Sequence, residues 1–300
     1  IIYKSLPADL DTAVSLMIKL TNGKNNSFLL ESVTGGEIRG RYSIIGLKPD
    51  LVWKCHGLNS KINRGINQCK KNFIECQDPP LTALRKIIAE SAVEIPKHLP
   101  QMSAGLFGFL GYDMIRLVEN LPNINKDSLN LPDSVMIRPT ITIIIDGVKG
   151  DIIIVTPVWH TKDFKDQPAK KYNNACLMIN EVIADMEKQK PRRKEPTTNK
   201  HTTLRPVSNI SKTDYINSII KAKNYIVEGE IFQVVTSQRW SVPFDLPPFS
   251  LYRALRRTNP SPYMFYFNFG DYQIVGASPE ILVKVKNNKV TIRPIAGTRP

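Results

Sequence analysis

Two runs of β-branched residues constrain the fold of this 300-residue chain more than any other feature. Residues 140–145 and residues 151–158 are rich in Ile, Val and Thr, and a segment containing Gly147 and Gly150 separates them. Such composition favours strands, so the two runs predict two consecutive strands. Further strand-like runs come earlier in the chain, at 27–32, 41–46 and 51–55. Apolar residues at helical spacing predict helices over 81–89 and 169–188.

The pattern changes from residue 207 onward. Ser211 and Asp214 match a capping box, which predicts a helix that ends near Gly229. Its predicted apolar face consists of Ile216, Ile219, Ile220 and Val227. Strands are predicted at 231–237, 263–269 and 273–276, followed by a hairpin of 281–285 and 290–293 that turns at Asn287-Asn288. A helix followed by mostly antiparallel strands indicates an α+β fold.

These changes predict a two-domain organisation. Residues 1–187 form the predicted N-terminal domain, 188–206 a basic linker rich in Pro and Thr, and 207–300 an incomplete second domain. The glycine-rich run at 103–112 has neither the spacing of a dinucleotide fingerprint nor the Lys-Ser/Thr of a phosphate loop. Close packing of backbone is the role that we expect for it.

The net charge of +14 and the pI near 9.6 suggest nucleic acid as a partner, but the distribution of charge argues against it. The densest basic run, 188–205, is interspersed with Pro and Thr and is typical of a solvated linker. No apolar run approaches the roughly 20 residues of a membrane span. The chain shows no secretory signal, and its four cysteines are scattered. We therefore expect a cytoplasmic protein that binds neither nucleic acid nor membrane.

Four motifs of the second half occur in one order along the chain. They are Glu-Gly-Glu-Ile-Phe-Gln-Val-Val at 228–235, Asn-Pro-Ser-Pro-Tyr-Met-Phe at 259–265, Gly-Ala-Ser-Pro-Glu at 276–280 and Pro-Ile-Ala-Gly-Thr-Arg-Pro at 294–300. Together they closely resemble the large subunit, component I, of the anthranilate synthases. Leu-Leu-Glu-Ser at 29–32 is similar to the regulatory segment of that family. The resemblance therefore extends over nearly the whole chain.

The resemblance implies a two-domain α+β fold with large, mostly antiparallel sheets around a central cleft, truncated here on its C-terminal side. The implied activity converts chorismate and ammonia to anthranilate and pyruvate with Mg²⁺, the first step of tryptophan biosynthesis. Ammonia comes from glutamine through a glutamine amidotransferase partner, component II. L-Tryptophan is the implied feedback inhibitor.

Two positions discriminate among relatives that share this fold. The position of Gln233 is a Lys that activates water in isochorismate synthases, and an amide cannot serve as that base. The position of Ala296 is a Lys that attacks the ring in many aminodeoxychorismate synthases, and a methyl group is no nucleophile. With both amines absent, external ammonia is the expected attacking group.

The resemblance also assigns binding residues. Gly297 and Thr298 match the chorismate-binding turn, where Gly lets the backbone approach an anion and Thr donates to a carboxylate. Arg299 is a further candidate for a carboxylate. Ser32 matches the tryptophan-binding serine, with Glu31 and Arg41 as possible second contacts. The residues that line the same tryptophan site are Pro262, Tyr263 and Met264.

The family's Mg²⁺ ligands, its catalytic His and one chorismate-binding Arg lie beyond the last motif, so we expect no metal ligand and no catalytic residue within this chain. The 300-residue polypeptide alone is predicted to make no anthranilate. Two alternatives stay open: an aminodeoxychorismate synthase component I, which retains the enolpyruvyl group in its product, and a non-catalytic tryptophan-binding remnant.

Overall fold

The computed structural model describes residues 1–21, 25–33, 40–64, 72–122, 125–159, 168–188 and 205–293. Packing divides the chain into two compact units, Ile1–Arg192 with Pro248–Pro300 and Arg193–Pro247. This division differs from the predicted bounds of 1–187 and 207–300. The physical reason is strand pairing, because a strand at Tyr263–Asn268 pairs with one at Ser27–Glu31.

The larger unit contains a sheet of ten strands from the described residues. The strands are β1 Ile2–Pro7, β2 Ser27–Glu31, β3 Tyr42–His56, β4 Asn59–Asn63, β5 Ile74–Glu75, β6 Phe107–Leu110, β7 Ser134–Asp146, β8 Asp151–Thr156, β11 Tyr263–Asn268 and β12 Gln273–Ser278. Their order along the main path is β1-β8-β7-β3-β2-β11-β12, and every pair is antiparallel. The α+β prediction with a large antiparallel sheet is confirmed.

Successive side chains of the central strands point to opposite faces of the sheet and so contribute to two separate cores. Leu29 and Ile45 join a core that helices cover, whereas Phe28 and Ile44 join an aromatic one. The helices that pack on the first core are α1 Ala13–Thr21, α3 Pro168–Glu187 and α5 Pro248–Thr258. Helix α2, Pro80–Glu90, packs through Leu84 and Ile87 on a third core. Two short 3-10 helices lie at Gln101–Ser103 and Tyr112–Leu117.

Strand β3 corrects one prediction. The sequence predicted separate strands at 41–46 and 51–55, but β3 runs without interruption from Tyr42 to His56. Its pairing with β7 shifts register between Pro49 and Leu51, and Lys48 has a φ of 48°. A bulge at this point accommodates the proline, because it leaves one residue outside the ladder of hydrogen bonds.

The glycine-rich run at 103–112 packs backbone against backbone, as predicted. Gly108 of β6 faces Met136 on β7. A Cβ atom at Gly108 would lie 1.9 Å from the carbonyl oxygen of Val135. Only a residue without a side chain permits the two strands to approach so closely.

The smaller unit contains helix α4, Lys212–Val227, and a pair of two-residue strands, β9 Val207–Ser208 and β10 Trp240–Ser241. The capping box is confirmed, since the amide of Asp214 donates to the Ser211 hydroxyl at 3.1 Å. The predicted strand at 231–237 is wrong, because residues 231–239 adopt no regular secondary structure. The predicted apolar face of α4 remains exposed, with Ile220 at 52%.

A separate ribbon of β13 Lys284–Lys286 and β14 Lys289–Thr291 follows β12. Its turn residues Asn287 and Asn288 have φ values of 51° and 57°, as expected for the predicted hairpin. Among the described residues, no helix has both the length and the apolar character that crossing a bilayer requires.

Candidate functional site

Three of the sequence motifs meet at one end of three neighbouring strands. Residues 29–32 close β2, 259–265 lead into β11, and 276–280 close β12. These strands are adjacent and antiparallel. The end of β2, the start of β11 and the end of β12 therefore lie side by side at the same end of the strands. Motifs that lie more than two hundred residues apart in the sequence therefore form one continuous surface.

The register places Ser32 beside the Pro262–Tyr263 segment. Glu31 lies opposite Met264, and pairing continues past the end of β2, where the amide of Val33 donates to the carbonyl of Ser261 at 3.1 Å. Ser32 is the residue between these two contacts. The four residues predicted to bind tryptophan are therefore neighbours in the structure.

Hydrogen bonds also hold together the part of this surface that β11 and β12 form. Tyr263 pairs with Ser278 across β11 and β12, and the Ser261 hydroxyl donates to the Ser278 carbonyl. The Ser278 hydroxyl in turn donates to the carbonyl of Glu280 at 2.9 Å. The turn that precedes β11 and the turn that follows β12 are thus joined through serine side chains.

The residues predicted to contact tryptophan differ in how far they are exposed to solvent. Tyr263 is 43% exposed, whereas Met264 is 1% exposed and packs in the helix-covered core with Tyr252 and Tyr266. Ser32 and Pro262 are half-buried. The surface available to a ligand is therefore formed by Ser32, Pro262 and the Tyr263 ring, whereas Met264 faces the helix-covered core on the other side of the sheet.

The Glu31 side chain is held by helix α5. Its carboxylate accepts from the Tyr252 hydroxyl at 2.5 Å and from Arg256 through Nε at 3.0 Å and Nη2 at 3.2 Å. The Glu31 side chain is only 3% exposed. Burial and the neighbouring carboxylate both raise the pKa of the Tyr252 hydroxyl, so that it remains a donor. Charge-assisted bonds of this kind compensate for placing a carboxylate inside the protein.

Arg41 is engaged elsewhere. Its guanidinium donates to both carboxylate oxygens of Asp146, with Nε 3.0 Å from Oδ1 and Nη2 2.7 Å from Oδ2. It also lies over the Tyr42 ring, 4.9 Å from the centroid. This arrangement ties the start of β3 to the end of β7, which favours a structural role over the ligand contact that the sequence suggested.

Of the remaining predicted residues, one belongs to the smaller unit and four fall outside the described residues. Gln233 lies exposed in the smaller unit. Ala296, Gly297 and Thr298, as well as Arg299, fall outside the described residues. Within the part of the chain that the structure describes, no group of three or more His, Cys, Asp or Glu side chains could hold a metal ion. No magnesium ligand is therefore assigned.

Sequence reasoning missed Tyr252 and Arg256. A signal was present, because they lie four residues apart and therefore on one face of a helix, next to the apolar Leu255. The buried carboxylate that they contact was not recognisable, since Glu31 ends a strand that is distant in sequence.

Known proteins resemble this chain in sequence and in fold. A sequence model of the chorismate binding enzymes matches residues 27–300. Anthranilate synthase component 1 of Cereibacter sphaeroides is 51% identical over 300 residues, which is 100% of this chain and 59% of that protein. The component 1 protein of Acetivibrio thermocellus is 38% identical over 97% of this chain and 58% of its own length.

A solved structure is also similar. The crystal structure of anthranilate synthase component I from Streptococcus pneumoniae TIGR4 superposes with a TM-score of 0.66 at 28% identity, covering 86% of this chain and 55% of that one. This chain thus spans less than two thirds of the length of the relatives that it matches. Because the family model extends over most of the sequence, the chain belongs to the chorismate binding enzyme family.

Proposed function

We propose that this chain is the tryptophan-sensing part of an anthranilate synthase component 1, with the sensing site at the shared ends of β2, β11 and β12. One observation carries the proposal. The β2–β11 register places Ser32 beside Pro262, Tyr263 and Met264, so residues assigned to one ligand by sequence resemblance are contiguous in space.

The chemistry of this surface suits tryptophan. The Ser32 hydroxyl can bond to the ligand's ammonium or carboxylate, and the half-exposed Tyr263 ring offers an aromatic face to the indole. The Glu31 carboxylate is buried on the other face of the sheet and fixed there by three hydrogen bonds, so we assign it no contact with the ligand. A zwitterion with an aromatic side chain has complementary groups for the Ser32 hydroxyl and the Tyr263 ring.

The test is calorimetric titration of the 300-residue chain with L-tryptophan. We expect saturable binding in the wild type and no measurable binding in Ser32→Arg, because the larger cation would fill the surface beside Tyr263. Ser5→Arg is the matched control, since Ser5 lies exposed on β1, four strands from β2 in the order of the sheet. Absence of binding in the wild type, or unchanged binding in Ser32→Arg, would refute the assignment.

The reaction that we propose for the whole protein replaces the chorismate hydroxyl by ammonia and releases pyruvate and water to give anthranilate. Gln233 and Ala296 support ammonia as the attacking group, because neither side chain offers the amine that related enzymes use. A glutamine amidotransferase partner would supply ammonia, and Mg²⁺ would neutralise the carboxylates of chorismate. No step is assigned to the metal here, since the described residues contain no suitable ligand group.

We further propose that the 300-residue chain senses tryptophan without turning over chorismate by itself. Support comes from the resemblance, which assigns it neither the metal ligands nor the catalytic His of the family, and from its span of 59% of the Cereibacter sphaeroides protein. Fluorescence detection of anthranilate in a mixture of the purified chain, chorismate, ammonia and Mg²⁺ tests this. Product above the rate of the protein-free mixture would contradict it.

A further inference from the structure

The pairing of β2 with β11 becomes irregular beside the proposed tryptophan site. Beyond the last regular pair, the amide of Val33 donates to the carbonyl of Ser261 at 3.1 Å. Between the ladder and this bond, the β2 side has one residue, Ser32, whereas the β11 side has two, Pro262 and Tyr263. Two residues opposite one is the arrangement of a β-bulge, which redirects side chains locally. The bulge therefore determines how Ser32 and Tyr263 lie relative to each other.

Ser261 holds this irregular segment on both sides. The residue is only 5% exposed. Its carbonyl accepts from the amide of Val33, and its hydroxyl donates to the carbonyl of Ser278 at the end of β12. The next residue, Pro262, has no amide hydrogen, so the backbone offers no donor at that position. One buried serine thus connects the end of β2 with the end of β12.

This connection bears directly on the proposed ligand surface. Ser32 immediately precedes Val33, and Tyr263 follows two residues after Ser261 and pairs with Ser278. The distance between the Ser32 hydroxyl and the Tyr263 ring therefore depends on the bonds of Ser261. A ligand that contacts both groups binds more tightly when the protein already holds them in place, because less freedom is lost on binding.

We propose that Ser261 is a positioning residue of the tryptophan site. Its hydroxyl bond to Ser278 keeps Ser32 and Tyr263 at the separation that tryptophan requires. This inference rests on the proposed function and adds to it a residue that need not touch the ligand, since Ser261 acts through the geometry of the bulge.

The test uses three substitutions of Ser261 in the 300-residue chain. Ser261→Ala removes the hydroxyl, Ser261→Cys replaces it by a weak donor of similar size, and Ser261→Thr retains it. Ser134→Ala is the matched control. Ser134 is also buried, and its hydroxyl donates to the carbonyl of Phe109 at 2.7 Å, so it joins two segments elsewhere in the same sheet.

Two quantities are measured for each variant. Calorimetric titration gives the affinity for L-tryptophan, and NMR gives the rate of hydrogen exchange at the Val33 amide in the ligand-free chain. We expect Ser261→Ala and Ser261→Cys to bind tryptophan about tenfold more weakly, as for one lost hydrogen bond, and to exchange the Val33 amide faster. Ser261→Thr and Ser134→Ala should stay within about twofold of the wild type in both quantities.

A merely structural role would make affinity follow stability, so that Ser134→Ala would weaken tryptophan binding as much as Ser261→Ala does. That result overturns the inference. Unchanged tryptophan affinity in both Ser261→Ala and Ser261→Cys also overturns it, while leaving the proposed function intact. A wild type that does not bind tryptophan refutes the proposed function, and the inference with it. Should Ser261→Thr fail to fold, the comparison of Ser261→Ala and Ser261→Cys with Ser134→Ala decides the matter.

Discussion

Glu31 and Met264 lie directly opposite each other in the antiparallel pairing of β2 with β11, although they are far apart in the sequence. Both side chains face the helix-covered core, where Met264 packs with Tyr252 and Glu31 bonds to it. A shift by one residue would turn both side chains to the aromatic core on the other face. The register therefore determines which residues surround the proposed ligand surface.

Two glycines of the large sheet, each opposite a phenylalanine, are expected to respond differently to substitution by alanine. Gly46 lies opposite Phe28, and Gly276 lies opposite Phe265; an added Cβ would come within 2.0 and 2.1 Å of the respective rings. Phe28 is fully buried and stacks on Phe107 at 4.6 Å, so its ring cannot yield. Phe265 is only partly buried.

We predict that Gly46→Ala lowers the free energy of unfolding by about 2 kcal/mol or more, and Gly276→Ala by less than half as much. Urea denaturation of the two variants measures the difference. Gly147→Ala is the control, since an added Cβ there would lie 3.4 Å from its nearest neighbour, the Arg41 carbonyl oxygen, which is an ordinary contact distance. Equal losses for the two glycines would contradict the argument about ring mobility.

The strands were the part of the fold most accessible from sequence. The run at 140–145 lies within β7, and β8 covers the first six residues of the run at 151–158. Both strands could be predicted because β-branched composition and local turns were sufficient to identify them. The hairpin around Asn287-Asn288 was predicted for the same reason, since asparagine tolerates the positive φ of both turn positions.

Features that depend on contacts between residues far apart in the sequence could not be predicted. The strand expected at 231–237 has β-forming residues but no pairing partner among the described residues. Helix α5 was missed because its Arg-rich sequence is polar on average, although its apolar residues recur at helical spacing. The candidate site itself came only from family resemblance. Its contiguity, and the contacts of Tyr252 and Arg256 with Glu31, follow from the β2–β11 pairing, which local patterns do not encode.

Arg138 on β7 joins several elements through one guanidinium. It donates to both oxygens of Asp50 at 2.9 and 2.8 Å and to the Ser91 hydroxyl at 3.1 Å, and it lies 4.8 Å from the centroid of the Trp159 ring. The residue is only 6% exposed. A lysine cannot reproduce this planar set of contacts.

Arg138→Lys is expected to lower the free energy of unfolding by about 2 kcal/mol. Arg64→Lys is the control, because Arg64 also contacts a carboxylate, that of Glu90, with two nitrogens, but its side chain is 51% exposed and the pair is worth less than about 1 kcal/mol. Chemical denaturation measures both variants. Losses of the same size would show that burial is not what gives Arg138 its importance.

Cys55 should resist thiol reagents in the folded protein. Burial, with a smaller effect from the charge of Asp133, raises the pKa of its thiol to about 11, and the side chain is fully buried. At pH 8 only about one thiol in a thousand would be ionised. Cys76 and Cys176 are partly exposed.

We predict that iodoacetamide at pH 8 labels Cys76 and Cys176 while Cys55 remains unmodified, and that urea makes all three react. Peptide mapping by mass spectrometry identifies the labelled positions. Labelling of Cys55 at the rate of Cys76 without denaturant would contradict its burial at the β3–β4 hairpin.

The Arg41–Asp146 pair predicts a specific dependence of stability on pH. Burial alone would raise the pKa of the Asp146 carboxyl, but bonds from Arg41 and from the amides of Lys149 and Val148 lower it below its ordinary value. A lowered folded-state pKa means that the stabilisation is present above the unfolded-state pKa of roughly 4 and is lost as the pH falls through the folded-state value. Solvent partly screens the attraction between Arg41 and Asp146, since the Arg41 side chain is 33% exposed.

Arg41→Gln is therefore expected to be less stable than the wild type at pH 7, with the difference in the free energy of unfolding narrowing between pH 5 and pH 3 as Asp146 becomes protonated. Urea denaturation at pH 7, 5, 4 and 3 measures it. Lys48→Gln is the control, because its pair with Glu181 is exposed on both sides and should contribute little at any pH. A difference for Arg41→Gln that stays constant across this range would show that Asp146 is not stabilised by the pairing, and that Arg41 acts through its contact with the Tyr42 ring instead.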